Sequence, residues 1–300
     1  MKKIVISSQK YITQIGLGCV TFGREIDALT SFDIMSYALE KGITLFDTAA
    51  AYSGGISEKI IGEWLVSKGD DAGHIVIATK ILPPFDKNSL SVSVDQSIGR
   101  LKRKYIDILF LHSWHASLED LCVLEELNAL LTSGRVRALG ASNFNSTQLN
   151  AILEKQINNK LIPIAFLQNN QNIAVSDIDD PLRQICKQHS IRIITYSPLG
   201  AGFLTGKYKS VVQPDVRFEL IPEHKNIYFN EYAWQRFEKL LEVSGNNGRP
   251  VAELALAWAL NQTQVKSVLI GCRSIQHIDQ ALTALNCDIK ALLIALEDKM

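Results

Sequence analysis

Strand-like and helix-like segments alternate along the whole chain, and this alternation predicts an α/β fold, a (β/α)8 TIM barrel with two additional helices. Length and composition agree with it. The chain has 300 residues, of which 47% are hydrophobic and 21% charged, a balance typical of a globular protein. No low-complexity linker divides the sequence, so residues 1–300 are predicted to form a single domain.

Eight short runs rich in β-branched or apolar residues account for the predicted strands. They span residues 14–19, 44–47, 75–79, 106–112, 136–141, 164–168, 191–195 and 267–270. Eight strands separated by helices fit a closed barrel better than an open doubly wound sheet.

The segments between the strands have helical periodicity. Residues 251–259 carry one apolar helical face, and the same pattern follows Thr30, Ser57 and Ser274, which we predict as helix N-terminal signals. Gly42 is placed to end the first helix. The two additional helices are predicted at 231–243 and 290–299, and a long polar loop at 209–230 follows the seventh strand.

The charge balance excludes several classes of partner. With 31 basic and 31 acidic side chains, the net charge is zero, so no nucleic-acid partner is expected. The longest apolar runs, 254–260 and 291–296, are far shorter than the roughly 18 residues of a membrane-spanning helix, so no membrane partner is expected. The first residues lack the pattern of a secretory signal, and a cytoplasmic location is predicted.

Five cysteines are scattered along the chain without a CxxC pair, at positions 19, 122, 186, 272 and 287. An odd number at irregular spacing argues against a disulfide framework and against a zinc cluster. We therefore predict that most of them are buried thiols and that there is no metal site.

Polar residues end or follow most of the predicted strands, where a barrel has its active face. Strands two to seven contribute, in order, Asp47 with Tyr52 just beyond it, Lys80, His112, Ser142 with Asn143, Gln168, and Tyr196 with Ser197. Each of these residues alone is more often structural than catalytic. Their occurrence at successive strand ends favours a functional site.

The chemistry of four of these residues suits proton transfer. A tyrosine has an ordinary pKa near 10, so Tyr52 can act as a general acid or base only with a neighbour that stabilises its phenolate. Lys80 could be that neighbour, and Asp47 could keep it charged and oriented. His112 could donate a hydrogen bond to a carbonyl oxygen.

Six short motifs occur in the order of a known family. They are Gly16-Leu17-Gly18, Asp47-Thr48-Ala49-Ala50-Ala51-Tyr52, Thr79-Lys80, Leu111-His112, Gly140-Ala141-Ser142-Asn143-Phe144 and Tyr196-Ser197-Pro198-Leu199-Gly200. From about Ile12 to about Leu285 the chain resembles an aldo-keto reductase. The resemblance implies a barrel enzyme that binds NADPH, less often NADH, and transfers hydride to an aldehyde or a ketone, with Tyr52 as the general acid.

The resemblance also implies a cofactor site. Ser142, Asn143 and Gln168 would hold the nicotinamide carboxamide and Tyr196 would stack on its ring; Ser197, Leu199, Gly200, Leu204 and Lys207 would surround the pyrophosphate; and Gly271, Arg273 and His277 would contribute from the segment after the eighth strand. Arg273 and Ser274 suit a 2′-phosphate, whereas Gln280-Ala281 replace the acid-Asn pair that reads adenine in related enzymes. NADPH is the expected cofactor, and NAD stays possible because Arg273 could equally stack on adenine.

The substrate is expected to be a small carbonyl compound or alcohol, possible examples being sugar-like molecules. Candidate pocket residues are Phe22, Trp114, His115, Arg217 and Phe218. A monomer is expected, by analogy with many relatives.

Two other functions remain open at this stage. Lys80 at a strand end could form a Schiff base in a barrel lyase, if burial lowered its pKa. Alternatively, the chain could be a non-enzymatic, nucleotide-sensing regulatory subunit similar to the β subunits of potassium channels.

Overall fold

The computed structural model describes residues 1–7, 10–208 and 223–286. Its strands are β1 (Lys3–Ser7), β2 (Lys10–Thr13), β3 (Ile15–Gly18), β4 (Leu45–Asp47), β5 (Val76–Ile81), β6 (Ile108–Leu111), β7 (Leu139–Ser142), β8 (Phe166–Asn170), β9 (Arg192–Tyr196) and β10 (Val265–Gly271). Strands β3 to β10 are parallel and close into a barrel through the pairing of β10 with β3. The predicted (β/α)8 barrel is confirmed, and each predicted strand overlaps one barrel strand.

The barrel interior is a packed apolar core. Alternate residues of the strands form one cluster, with Val76 on β5, Ile108 and Phe110 on β6, Phe166 on β8 and Leu269 on β10. Successive side chains of a strand point to opposite faces, so these residues fill the interior while their neighbours pack against the helices. A filled interior leaves only the ends of the barrel for binding.

A hairpin that the sequence analysis did not identify covers the amino end of the barrel. Strands β1 and β2 pair antiparallel, and Ile12 of β2 belongs to the inner core cluster. Lys10 Nζ, on the same strand, lies 2.6 Å from Asp107 Oδ1 and 3.0 Å from the Ile75 carbonyl oxygen, just before β6 and β5 begin. With this end covered, the carboxyl ends of the strands form the open face.

The helices pack around the barrel. They are α1 (Ala28–Glu40), α2 (Ile56–Lys68), α3 (Lys87–Leu101), α4 (Leu121–Thr132), α5 (Ser146–Asn158), α6 (Asp180–Gln188), α7 (Glu223–Tyr228), α8 (Glu231–Asn247), α9 (Val251–Leu260) and α10 (Gln276–Leu285). Helix α8 contains the additional helix predicted at 231–243. The one predicted at 290–299, and positions 209–222 of the predicted long loop, lie outside the described residues.

Three predicted helix starts are wrong by a few residues. Helix α1 is capped by Asp27, whose carboxylate accepts a hydrogen bond from the Thr30 backbone N–H, so Thr30 lies inside the helix. Ser57 lies in the first turn of α2, where its hydroxyl donates to the Cys19 carbonyl oxygen at 2.9 Å. Ser274 precedes the N-cap of α10, Ile275. For Ser57, a tertiary contact that the local pattern does not contain decides the use of the hydroxyl group.

Within the described ranges, no helix combines the length and the apolar character needed to cross a bilayer.

Candidate active site

A cavity of about 730 Å³ lies at the carboxyl ends of the barrel strands. The predicted site residues that line it are Asp47, Tyr52, Lys80, His112, Ser142, Asn143, Gln168, Tyr196, Ser197, Leu199, Lys207, Gly271, Arg273 and His277. Gly200 and Leu204 are instead buried in the segment that follows β9 and do not line the cavity. The structure therefore brings most of the predicted residues together around one space.

A buried ammonium group connects a carboxylate to a phenol on the cavity wall. Asp47 pairs with Ala78 between β4 and β5, and Lys80 lies two residues further along β5, so its side chain returns to the same face. Lys80 Nζ lies 2.5 Å from Asp47 Oδ2, 2.9 Å from the Thr48 carbonyl oxygen and 3.2 Å from the Tyr52 hydroxyl. The Lys80 and Asp47 side chains are only 1% and 4% exposed, so water screens this pair little.

Burial and neighbouring charges determine the protonation states of Asp47, Lys80 and Tyr52. Burial raises the pKa of Asp47, although Lys80 opposes the shift. Burial disfavours the ammonium form of Lys80, but the attraction of Asp47 and the hydrogen bond to Tyr52 outweigh it and leave the pKa of Lys80 above its usual value. Burial also raises the pKa of Tyr52, and the neighbouring Lys80 cation counteracts part of that shift. Tyr52 is therefore a protonated phenol at neutral pH, with a cation held beside its oxygen.

His112 faces the same cavity in its neutral form. Its backbone N–H donates to the Ile81 carbonyl oxygen at 3.0 Å, which fixes it directly after β6. Its ring centre lies 6.0 Å from that of Tyr52, edge-on at 75°. Burial, with a smaller contribution from Lys80, lowers the pKa of His112 to about 4. The Nδ1 atom is buried and has no hydrogen-bond partner among the described residues.

Side chains from β7, β8 and β9 extend this network. Gln168 Nε2 donates to Asp47 Oδ1 at 2.8 Å, and the Ser142 hydroxyl donates to the Gln168 carbonyl oxygen at 2.9 Å. The Tyr196 hydroxyl donates to Asn143 Oδ1 at 2.6 Å. Gln168 thus links residues predicted to hold a nicotinamide to the carboxylate that orients Lys80.

The segment after β9 is tightly curled. Ser197, Ala201 and Gly202 have positive φ angles of 55°, 56° and 98°. A Cβ atom at Gly202 would lie 3.2 Å from Lys207 Cε and 3.4 Å from Lys207 Nζ, so a glycine lets the lysine side chain lie against the backbone there. The Lys207 ammonium group thus lies beside this curled backbone on the cavity wall.

The segment after β10 lines the far side of the cavity. Arg273 and His277 both line the cavity, together with Gln280. The Arg273 backbone N–H donates to His277 Nδ1 at 3.1 Å, and the His277 backbone N–H donates to the Ser274 carbonyl oxygen at 3.3 Å. One nitrogen of His277 thus fixes the turn that carries Arg273, a role that sequence spacing did not indicate.

Comparison with known proteins decides the family. A sequence model described as "Aldo/keto reductase family" matches residues 14–296, nearly the whole chain. The chain belongs to the aldo/keto reductase family. The protein is therefore an oxidoreductase of this family.

Three curated relatives of this aldo/keto reductase differ in their described roles. Norsolorinic acid reductase B of Dothistroma septosporum is 29% identical, with 91% of this chain and 74% of that protein covered. Human aldo-keto reductase family 7 member A3 is 28% identical, with 89% and 87% covered. A probable voltage-gated potassium channel subunit beta of Arabidopsis thaliana is 27% identical, with 89% and 85% covered.

Several cavity residues of this aldo/keto reductase were missed by the sequence analysis. Gly18, Cys19 and Val20 line the cavity at the end of β3, as do Arg24 and Ser53 further along. The strand-end rule used for the other strands would have found the first three. Arg24 lies on a loop that no periodic pattern marks, and its Nη2 lies 2.7 Å from Glu25 Oε1.

Three of the candidates suggested for the substrate pocket lie within the described residues, and none of these three lines the cavity. Phe22 is fully buried, and Trp114 packs against the main core. His115 Nδ1 accepts a hydrogen bond from the Ser117 backbone N–H at 3.0 Å and so caps a short turn. Arg217 and Phe218 lie outside the described residues.

Proposed function

We propose that the protein is an NADPH-dependent reductase of aldehydes or ketones in which Tyr52 is the general acid. The observation that carries the proposal is the position of Lys80 Nζ, within hydrogen-bond distance of both Asp47 and Tyr52 on the wall of the cavity. A protonated phenol beside a buried cation can release a proton because the phenolate that forms is stabilised at once.

The residues of the cavity fit a dinucleotide. Lys207, which lies beside the curled segment from Ser197 to Gly206, suits a pyrophosphate, Arg273 suits a terminal phosphate, and the network through Asn143 and Gln168 offers amide groups to a carboxamide. When bound, NADPH supplies a hydride for the carbonyl carbon of the substrate.

The chain's own groups would handle the proton. The Tyr52 hydroxyl donates its proton to the carbonyl oxygen, and Lys80 stabilises the resulting phenolate through its hydrogen bond. Asp47 keeps Lys80 charged and oriented, and Gln168 holds the other oxygen of that carboxylate. Because an unpaired buried N–H is costly, we assign the proton of the neutral His112 ring to Nε2, which then donates to the same carbonyl oxygen.

Titration with the two dinucleotides tests the cofactor assignment. Intrinsic fluorescence is followed while NADPH or NADH is added to the purified protein. NADPH is expected to bind at least about tenfold more tightly, because Arg273 can make charge-assisted hydrogen bonds to a 2′-phosphate. In Arg273→Ala the affinity for NADPH falls by about tenfold while that for NADH changes by less than about twofold. Failure of the wild-type protein to bind either dinucleotide would overturn the proposal.

The Schiff-base lyase is disfavoured by the state of Lys80. Its Nζ donates three hydrogen bonds and its pKa is raised, whereas a nucleophilic amine must be unprotonated. Borohydride should therefore trap no adduct on Lys80 with candidate carbonyl substrates.

The alternative function, that of a regulatory subunit, is supported by the similarity of the chain to a probable voltage-gated potassium channel subunit beta. The assembly of Asp47, Tyr52, Lys80 and His112 around one cavity favours the enzyme.

We further propose that residues 1–300 form one domain, acting as a cytoplasmic monomer on a small carbonyl or alcohol substrate. Pairing of β3 with β10 supports the single domain, since the first and the last barrel strands must meet for the barrel to close. Analytical ultracentrifugation tests the monomer.

A further inference from the structure

A buried polar cluster lies behind the segment that follows β9. It consists of Asn170, Asn172 and Tyr228, which are 4%, 0% and 0% exposed. Asn170 Nδ2 donates to the Tyr228 hydroxyl at 3.0 Å, and Asn172 Nδ2 lies 3.1 Å from Asn170 Oδ1 and 3.4 Å from the same hydroxyl. Asn172 Nδ2 also donates to the Ser197 carbonyl oxygen at 2.9 Å. The cluster therefore connects the end of β8 and α7 to the first residue after β9.

Tyr228 also contacts this segment through its ring. A Cβ atom at Gly200, where φ is 56°, would lie 3.0 Å from Tyr228 Cε1, so a glycine is needed for the backbone to approach the ring this closely. The Tyr228 ring stacks on that of Phe203, with centres 6.1 Å apart. Gly200 thus contributes by packing on Tyr228 rather than by lining the cavity.

The conformation of the curled segment must be stabilised by contacts from outside the segment. Ser197 and Ala201 adopt the left-handed conformation without being glycines, and such residues persist only where surrounding contacts overdetermine them. Buried polar groups must in turn be paired, which makes a satisfied amide and hydroxyl cluster rigid and geometrically specific. The polar cluster stabilises one end of the segment through the hydrogen bond of Asn172 to the Ser197 carbonyl oxygen. Further along, the packing of the Phe203 ring on Tyr228 stabilises it.

We propose that Tyr228 is a positioning residue which, with Asn170 and Asn172, holds residues 197–206 in the conformation that receives the pyrophosphate of a dinucleotide. The inference rests on the proposed function for the ligand, but its structural part concerns the free protein. Tyr228 touches neither the cavity nor the reacting atoms; it acts through the Ser197 carbonyl oxygen and Gly200.

Tyr228→Phe tests this role by removing one hydroxyl group and leaving the ring. Amide hydrogen exchange of the free protein is measured by mass spectrometry, and NADPH affinity by fluorescence titration. Exchange within residues 197–206 should accelerate by about tenfold, and the Kd for NADPH should rise by about tenfold, as expected for one buried hydrogen-bonded group. Turnover at saturating NADPH should change by less than about twofold, because the reacting groups are untouched.

Tyr208→Phe is the matched control. It removes a hydroxyl from a tyrosine whose ring packs on Phe229, the residue that follows Tyr228, and Tyr208 is not one of the three residues of the polar cluster. Both measurements should stay within about twofold of wild type. Unchanged exchange and affinity in Tyr228→Phe, or equal changes in the two variants, would overturn the positioning role. If the wild-type protein bound neither NADPH nor NADH, the proposed function would fail, while hydrogen exchange of the free protein would still decide whether Tyr228 holds the segment.

Discussion

Lys80→Met is expected to destabilise the protein strongly, because it leaves the Asp47 carboxylate buried without its cation. Lys80 and Asp47 are almost fully buried and their charged atoms lie 2.5 Å apart. Removing one member of such a pair costs roughly 3–5 kcal/mol, since the remaining charge has lost both water and partner. Methionine fills a similar volume, so the loss reports the charge rather than a cavity.

A second substitution separates the charge effect from other effects. Asp47→Asn in the Lys80→Met background removes the uncompensated charge and keeps an amide oxygen that can accept the hydrogen bond from Gln168 Nε2. The double variant should therefore recover at least about 2 kcal/mol of the loss. Lys59→Met, at an exposed position on α2, is the control and should stay within about 0.5 kcal/mol of wild type.

Urea unfolding followed by circular dichroism provides the free energies. A loss below about 1 kcal/mol in Lys80→Met would mean that the carboxylate is not held as a buried ion. The same conclusion would follow if Asp47→Asn, in the Lys80→Met background, recovered none of the lost free energy of unfolding.

Two further predictions concern protonation and packing. The pKa of His112 is about 4 when folded and near 6.5 when unfolded, so the unfolded state binds more protons between these values and stability falls as the pH drops through that window. Between pH 7 and pH 4.5, the free energy of unfolding, measured by urea titration, should fall by about 2–3 kcal/mol less in His112→Gln than in the wild-type protein. An equal fall in the two proteins would refute the buried neutral ring. Gly62→Ala should destabilise by about 1–3 kcal/mol, because its Cβ would lie 2.2 Å from the Arg100 carbonyl oxygen, whereas Gly99→Ala, with open space around it, should stabilise α3. Equal effects of the two alanines on the melting temperature would contradict this packing.

Periodicity was sufficient for the barrel strands because each is a short β-branched or apolar run bounded by helical segments. Ile4, Val5 and Ile6 have high strand propensity, but their local pattern does not indicate that this segment forms a hairpin with β2. Its position over the barrel depends on the contact of Lys10 with Asp107, residues 97 apart in sequence.

The candidate site was predictable to the extent that barrel topology assigns function to strand ends. That rule and the family motifs predict that Asp47, Lys80 and Gln168 lie in one site, and the structure places these three residues in one hydrogen-bond network. Neither could show that Gly200 packs against Tyr228, because that contact joins segments with no common periodicity. Long-range contacts of this kind determine which residues line a cavity and which support it.

Turnover by Tyr52→Phe tests the central claim, that this phenol delivers the proton, most directly. The substitution removes only the hydroxyl that accepts a hydrogen bond from Lys80, so NADPH affinity should change by less than about twofold. Carbonyl reduction should fall by at least about 100-fold, the usual contribution of a positioned general acid. A variant that binds NADPH normally and still reduces the carbonyl substrate at the wild-type rate would contradict the assignment of Tyr52 as the acid.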